Sequence, residues 1–301
     1  MESFVREVAP DARVVHANLY LDSYRTNPAD LLIVGGGGVW GATGTGQLDD
    51  ALYSAWMKAK GPLAIANISL ETFDVKRAER LRNLGAKAAF LSFRDRESWS
   101  LARDILGDSK ILWGGDTSYL RPMRLRRRPN RSLIGVNLCN PAQENLLRLK
   151  ASTGIARSVS SLANQGFDLR GVAFRAGGPR PDHVFCRQVD ASCPEEFSST
   201  VFEECDAFIG MRYHSIVLAF QNLIPVIAIV CSAKVKRIME EYSLEEYSLD
   251  PSDPDFSNRL RSAVQTVREE KVIQKIREGN RNTEARLVPV RDRLRTLIEN
   301  P

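Results

Sequence analysis

The stretch Ala207-Phe208-Ile209-Gly210-Met211-Arg212-Tyr213-His214-Ser215-Ile216-Val217-Leu218-Ala219-Phe220 decides how this chain is read. Three apolar residues closed by a glycine have the character of a short buried strand. The apolar run after Ser215 reads as a helix with Ser215 as its N-cap residue. Pro225-Val226-Ile227-Ala228-Ile229-Val230 then returns as a second strand. A strand, a turn and a helix in that order set Arg212 and His214 beside a helix N-terminus, where backbone N–H groups favour anions. Alternate side chains of an extended turn project to one side, so the two can face the same space. The stretch is read as an anion site with a proton donor beside it.

Outward from it, short apolar runs alternate with helical stretches, the pattern of parallel sheets covered on both faces. In the first half the strands are expected at Val14–Ala17, Leu31–Val34, Leu63–Ala66, Ala88–Leu91 and Ile111–Trp113, and the helices at Leu48–Ala59, Asp74–Leu84 and Glu97–Leu106. A second series opens at Ser132–Asn137 and continues through Gly171–Phe174, and charged helices over Asn258–Gly279 and Glu284–Ile298 close the chain. The order predicts an α/β protein of two doubly wound, Rossmann-like domains with a cleft between them, and ligands at the carboxyl ends of the strands. Residues 1–128 form the first domain, 129–255 the second, and 256–301 are C-terminal helices that pack back across both.

At 301 residues and 43% hydrophobic content the chain exceeds the usual growth of one core, which agrees with two domains. No run of 18 apolar residues suggests a membrane span, and the acidic start Met1-Glu2-Ser3-Phe4-Val5-Arg6-Glu7 is unlike a signal peptide. Cys139, Cys186, Cys193, Cys205 and Cys231 form no C-x-x-C pair and no Cys/His cluster. That pattern argues against a disulfide framework and a structural metal, so the expected compartment is the cytoplasm and turnover is expected without a divalent ion. The net charge of +5 is uneven: Arg121, Arg124, Arg126, Arg127, Arg128 and Arg131 crowd around Pro122 and Pro129. The first reading of this segment is a solvated interdomain linker; the second is peripheral contact with an anionic lipid surface or a pyrophosphate-bearing acceptor. No basic stripe interleaved with aromatics points to nucleic acid.

Two further segments carry chemistry. Gly35-Gly36-Gly37-Gly38-Val39-Trp40-Gly41 contains a literal G-x-G-x-x-G at Gly36, Gly38 and Gly41, but the next strand ends at Ala66-Asn67 and offers no acid for a ribose hydroxyl. Gly41–Gln47 misses a P-loop, since Gln47 stands where the phosphate-binding lysine belongs. What remains is a loop whose Gly36, Gly37 and Gly38 let a substrate approach the backbone, or a turn without a ligand. Leu91-Ser92-Phe93-Arg94-Asp95-Arg96-Glu97-Ser98 repeats the strand-to-helix setting, with Arg94 able to fork onto a carboxylate or phosphate and Asp95 orienting or capping. A surface ion pair is the plainer reading of Arg94 by itself.

In their order, LLIVGGGG, LSFRDRES, DAFIGMRYHS and IPVIAIV followed by AKVKRIMEEY resemble the polysaccharide pyruvyl transferase family over roughly Asp30–Tyr242. The resemblance implies two Rossmann-like domains arranged as in GT-B glycosyltransferases. It implies an enzyme that transfers the pyruvyl group of phosphoenolpyruvate to two hydroxyls of a sugar in a polysaccharide or its lipid-linked precursor, forming a cyclic ketal and releasing phosphate. No cofactor beyond the donor is expected, and association with the inner face of the membrane would follow from such an acceptor. By resemblance Arg94, Arg212 and His214 match binding and catalytic positions, and Lys234 matches a basic position after the last strand of the second domain. Family members start with a strand and a polar loop upstream of Met1, so the first strand of the N-terminal domain is expected to be missing here.

The chemistry asks for such residues on independent grounds. Phosphoenolpyruvate carries a carboxylate and a phosphate close together, which two arginines and a helix N-terminus including Ser215 can hold. Ketal formation needs a proton on the vinyl carbon, and a histidine with an ordinary pKa of about 6.5 can move it. His214 is therefore read as general acid/base with Arg212 beside it; His16 and His183 lack a supporting motif. The alternative is a GT-B-type nucleotide-sugar glycosyltransferase. Those enzymes usually place an acid on the helix between the last two strands, and Ser215–Ile224 contains none. Glu195 and Glu203 precede the turn and read better as a solvated face. A non-catalytic sugar-phosphate or polymer-binding protein is the third class, one that would bind phosphoenolpyruvate and release no phosphate.

Overall fold

The computed structural model describes residues 2–11, 31–40, 53–54, 56–58, 60–70, 74–108, 111–120, 122, 125–126, 128–140, 149–176 and 181–300. The expected strand Val14–Ala17, His16, and most of the helix Leu48–Ala59 lie outside them. The chain divides into two compact units, Met1–Pro122 with Asn282–Pro301, and Met123–Arg281.

In the first unit, helix α1 (Glu2–Val8) precedes strands β1 (Leu32–Trp40) and β2 (Leu63–Leu70). Helix α2 (Val75–Lys87), strand β3 (Phe90–Phe93), helix α3 (Arg96–Leu106) and strand β4 (Ile111–Trp113) follow. The strands form one parallel sheet in the order β1-β2-β3-β4. Every residue of β2 is buried, as expected of a parallel strand covered on both faces, and Ile65, Ile68, Leu81, Leu84, Leu91 and Phe93 form its core. Each such side chain contributes roughly 1.5–3 kcal/mol by leaving water. Asp74 caps α2 by accepting from Arg77 N at 2.8 Å. The glycine run departs from its expected form: Gly35–Gly38 continue β1 as extended strand instead of forming a loop. Their main chain pairs with β2, Gly35 opposite Ala66 and Gly37 opposite Ile68, and such a ladder needs no side chains.

The second unit holds β5 (Asn130–Asn137), α4 (Leu149–Ser160), β6 (Asp168–Gly171), α5 (Asp182–Cys186), α6 (Thr200–Glu204) and β7 (Cys205–Gly210). It continues through α7 (Tyr213–Gln221), β8 (Val226–Ile229), α8 (Ala233–Glu241), β9 (Ser248–Leu249) and α9 (Phe256–Thr266). Its parallel sheet has the order β6-β5-β7-β8-β9. The chain runs from β5 to β6 on one side, then crosses to β7 on the other, so the strand order reverses between β5 and β7. Such a switch point opens a crevice at the carboxyl ends of the two strands, and ligands of doubly wound sheets bind there. Phe202, Phe208, Ile209 and Phe220 are fully buried around these strands.

The last helix, α10 (Glu270–Glu299), corrects the expected endings. A break was expected after Gly279, but the helix runs through it, because Gly279 is where the Tyr242 ring packs: a Cβ there would lie 2.4 Å from Tyr242 Cδ1. The interruption falls earlier, between Thr266 and Glu270. The boundary between units also lies earlier than residue 128, since the main chain after Pro122 is held by the second unit. Leu125 N donates to Asn222 Oδ1 at 2.8 Å and Arg128 N to Glu203 O at 2.7 Å. Likewise α9 is part of the second unit's core through Phe256, Leu260 and Val264. Beyond Arg281, α10 belongs to the first unit, where Leu287, Val290 and Leu294 are buried and Arg286 lies over the Trp113 ring at 4.1 Å.

Candidate functional site

At the switch point of the second unit, β7 ends at Gly210 and the helix α7 begins at Tyr213. Gly210 lets the helix approach: a Cβ there would stand 3.0 Å from Ser215 Oγ and Ile216 Cγ1. The turn is pinned from β5, since Met211 N donates to the Asn137 carbonyl at 3.1 Å and Arg212 N to Asn137 Oδ1 at 3.1 Å. The cap differs from expectation. Arg212, in extended backbone at φ −90°, occupies the N-cap position, and Ser215 lies inside the first turn with its hydroxyl donating to Arg212 O at 2.7 Å. Ser215 is fully buried, so its role is to close the first helical turn.

The Arg212 side chain meets a carboxylate that is distant in sequence. Nε donates to Asp182 Oδ2 at 2.6 Å and Nη2 to Asp182 Oδ1 at 2.5 Å, a two-pronged fork. Asp182 has no exposed surface, and Arg212 retains 17% of its side-chain surface. Phe174 N and Arg175 N, each at 3.2 Å, and Asn137 Nδ2 at 3.4 Å also donate to Asp182 Oδ2. Taking one partner from such a buried pair typically costs about 3–5 kcal/mol, so each group requires the other. His214, the second residue of α7, is exposed, with its ring edge-on to Tyr213 at 5.5 Å. Lys234 is half-buried in the first turn of α8, directly after β8, and the Ser232 hydroxyl at that helix's N-cap position is buried without a hydrogen-bond partner among the described residues.

In the first unit the corresponding place is the turn from β3 to α3. Arg94 is 2% exposed with Nη1 3.9 Å from Asp116 Oδ2, and Asp116 is 4% exposed. Asp95 caps α3, accepting from Ser98 N at 2.9 Å and Ser98 Oγ at 2.8 Å, and takes Ser69 Oγ at 2.6 Å. Across the strand ends, Asn67 adopts φ 54°, a left-handed backbone that asparagine tolerates, and lies where β2 shifts register against β3, between Ile65 and Ile68. Its Oδ1 accepts from Ser92 Oγ at 2.7 Å, while Nδ2 is buried with no partner among the described residues.

Arg212, His214, Ser215 and Lys234 thus gather at the strand ends of the second unit, and Arg94 and Asp95 at those of the first. Gly36, Gly37 and Gly38 lie in β1. His183 Nε2 is 3.9 Å from Glu195 Oε1. Arg121, Arg124 and Arg127 of the basic segment lie outside the described residues. Sequence reasoning missed Asp182 and Asn137. Asp182 follows Pro179-Arg180-Pro181 in the sequence, where nothing local announces a partner thirty residues away. Among the described residues no group of three or more His, Cys, Asp or Glu is arranged to hold a metal ion, and no helix is long and apolar enough to cross a membrane.

A partly buried guanidinium backed by a buried carboxylate and an exposed imidazole at one helix N-terminus can hold an anion and exchange a proton with it. Comparison with known proteins gives this arrangement a context. The family model described as polysaccharide pyruvyl transferase matches residues 1–233. No curated protein matches the chain. Among solved structures, a GtfA/B complex bound to UDP and GlcNAc is similar at 10% identity and a TM-score of 0.36, over 86% of this chain and 53% of that one. The chain therefore spans about half the length of that solved chain.

Proposed function

The chain belongs to the polysaccharide pyruvyl transferase family, and from that premise we propose that it moves the pyruvyl group of phosphoenolpyruvate onto two hydroxyls of one sugar. The observation that carries this reading is the pairing of Arg212, clamped by Asp182, with exposed His214 at the head of α7. Arg212 and the first-turn N–H groups of α7 receive the donor's negative charge, with Lys234 on the neighbouring helix as a further positive charge. The acceptor is a polysaccharide precursor or a lipid-linked oligosaccharide met at the inner face of the membrane.

In the proposed reaction His214 delivers a proton to the vinyl carbon, making a methyl group and leaving positive charge on the adjoining carbon. One sugar hydroxyl adds there and loses its proton. Phosphate departs with its bonding pair, and the second hydroxyl closes the ring. Of the two hydroxyl protons released, one balances the proton placed on carbon and the other leaves on phosphate. A proton donor poised near neutral pH typically accelerates such a step by about 10²–10⁴-fold.

The test incubates the protein with phosphoenolpyruvate and a panel of lipid-linked and synthetic sugars, measuring phosphate release and ketal formation for wild type and His214→Ala. Ketal formation lost in the variant supports the assignment. Turnover of a nucleotide sugar, or thermal stabilisation by uridine diphosphate and none by phosphoenolpyruvate, would overturn it.

A further inference from the structure

We propose that Asp182 is the positioning residue of this site: it fixes which edge of the Arg212 guanidinium is held and so the orientation in which an anion meets it. The inference rests on the pyruvyl-transfer reading only for the identity of that anion. The geometry stands on its own, because three segments converge on one fully buried carboxylate at the start of α5: the end of β5, the chain after β6 and the head of α7.

The two oxygens of Asp182 have separate roles. Oδ2 accepts from Phe174 N and Arg175 N, which ties the chain after β6 to α5, and also from Arg212 Nε. Oδ1 accepts from Arg212 Nη2. A fork onto Nε and Nη2 fixes the plane of the guanidinium, since both donors lie on one rigid edge. Asn137 adds the matching constraint on the main chain by accepting from Arg212 N, so side chain and backbone of one residue are both held from the switch point. An arginine ordered before its ligand arrives loses little freedom on binding. Its charge is also already balanced, so an anion is selected by directed N–H groups and the helix N-terminus more than by net attraction.

Asp182→Asn separates these roles. The amide keeps an oxygen for the two backbone N–H groups and turns an NH2 against Nη2, which breaks the fork. Three measurements decide: thermal melting, the Nε–Hε correlation of Arg212 in a nitrogen-15 spectrum, assigned by its loss in Arg212→Lys, and calorimetric affinity for phosphoenolpyruvate in wild type, D182N, R212K and the double variant. We expect an exchange-protected Nε signal in wild type that D182N weakens, because the amide oxygen still accepts from Nε while the NH2 repels Nη2 and loosens the guanidinium. We expect affinity to fall about tenfold or more in D182N, the scale found when the hydrogen-bonded partner of a metal-binding side chain is lost. The double variant should bind no more weakly than R212K, because Asp182 then has no fork to hold.

An unchanged signal and affinity in D182N would overturn the proposal, and so would an equal loss from D182N with and without R212K, which marks a purely structural role. Should D182N not fold, the wild-type spectrum decides, and the absence of a protected Nε signal sinks the clamp. A wild-type protein that shows the signal yet binds no phosphoenolpyruvate overturns the functional reading and upholds the clamp.

Discussion

Arg212 and His214 stand two residues apart at the head of one helix, yet a buried carboxylate holds the first while the second is exposed. Immobile charge and accessible proton carrier are thereby separated, and their variants should fail differently. His214→Ala is expected to keep phosphoenolpyruvate affinity within a few-fold and lose about 10²–10⁴ in kcat. Arg212→Lys is expected to lose affinity first, since an ammonium cannot reproduce a fork. Calorimetry beside phosphate-release kinetics separates the two, and equal loss of affinity in both variants would contradict the division.

Asp95 is expected to matter to stability. It satisfies the Ser98 N–H, the Ser98 hydroxyl and the Ser69 hydroxyl, all buried. Loss of an N-cap costs about 0.5–2 kcal/mol, and buried hydroxyls left unmatched add to that. Asp95→Ala should therefore lower unfolding stability in urea by about 2 kcal/mol, and Asp95→Ser should recover part of it by restoring the cap. A null effect of Asp95→Ala would show that the cap is dispensable.

Gly279→Ala sets two effects against each other. Alanine in a helix interior is favoured over glycine by about 1 kcal/mol. A Cβ 2.4 Å from Tyr242 Cδ1 must displace a ring that is itself stacked on Phe220 at 4.3 Å, and overpacking of that kind costs about 1–3 kcal/mol. The clash should win and the melting temperature should fall. Gly279→Ala combined with Tyr242→Leu, which clears the ring, should be less destabilised than the sum of the two single changes.

All five cysteines are free and buried, so a disulfide-exchange reagent at pH 8 should titrate five thiols in denaturant and react slowly with the native protein. Cys186 is pushed well above the usual thiol range, first by its hydrogen bond with Cys193 and then by burial, whereas the same bond holds Cys193 below it. The stability Cys186 contributes is whole below its unfolded value of about 8.5 and declines above it, because the unfolded chain ionises there and the folded chain does not. Cys193 acts in the opposite direction with the smaller shift. Stability should thus fall above about pH 8.5, and Cys186→Ala should flatten that fall; an unchanged slope would show that Cys186 does not set it.

The parts of this molecule that were legible in its sequence are those governed by neighbours in the chain. The apolar runs of β7 and β8, the turn carrying Arg212 and His214, and the strand-to-helix turn at Arg94 follow from local periodicity. Errors arose where tertiary packing overrode a local rule. Ser215 looks like a cap, but extended backbone at Arg212 takes that position and turns the hydroxyl inward. Gly279 looks like a stop, but it makes room for an aromatic ring. Asp182 shows the deeper limit: its meaning comes from a partner across the sheet's switch point, and spacing along the chain carries no trace of it.

Helix α10 runs through Arg281, where the second unit ends, and its later residues Leu287, Val290 and Leu294 complete the interior of the first. The first unit is therefore assembled from two segments of chain that lie on either side of the second. On the ribosome its sheet emerges before the second unit but waits for its remaining apolar contacts until residues 282–300 are made. A stop codon near residue 281 would spare the second unit's sequence and harm the half encoded first.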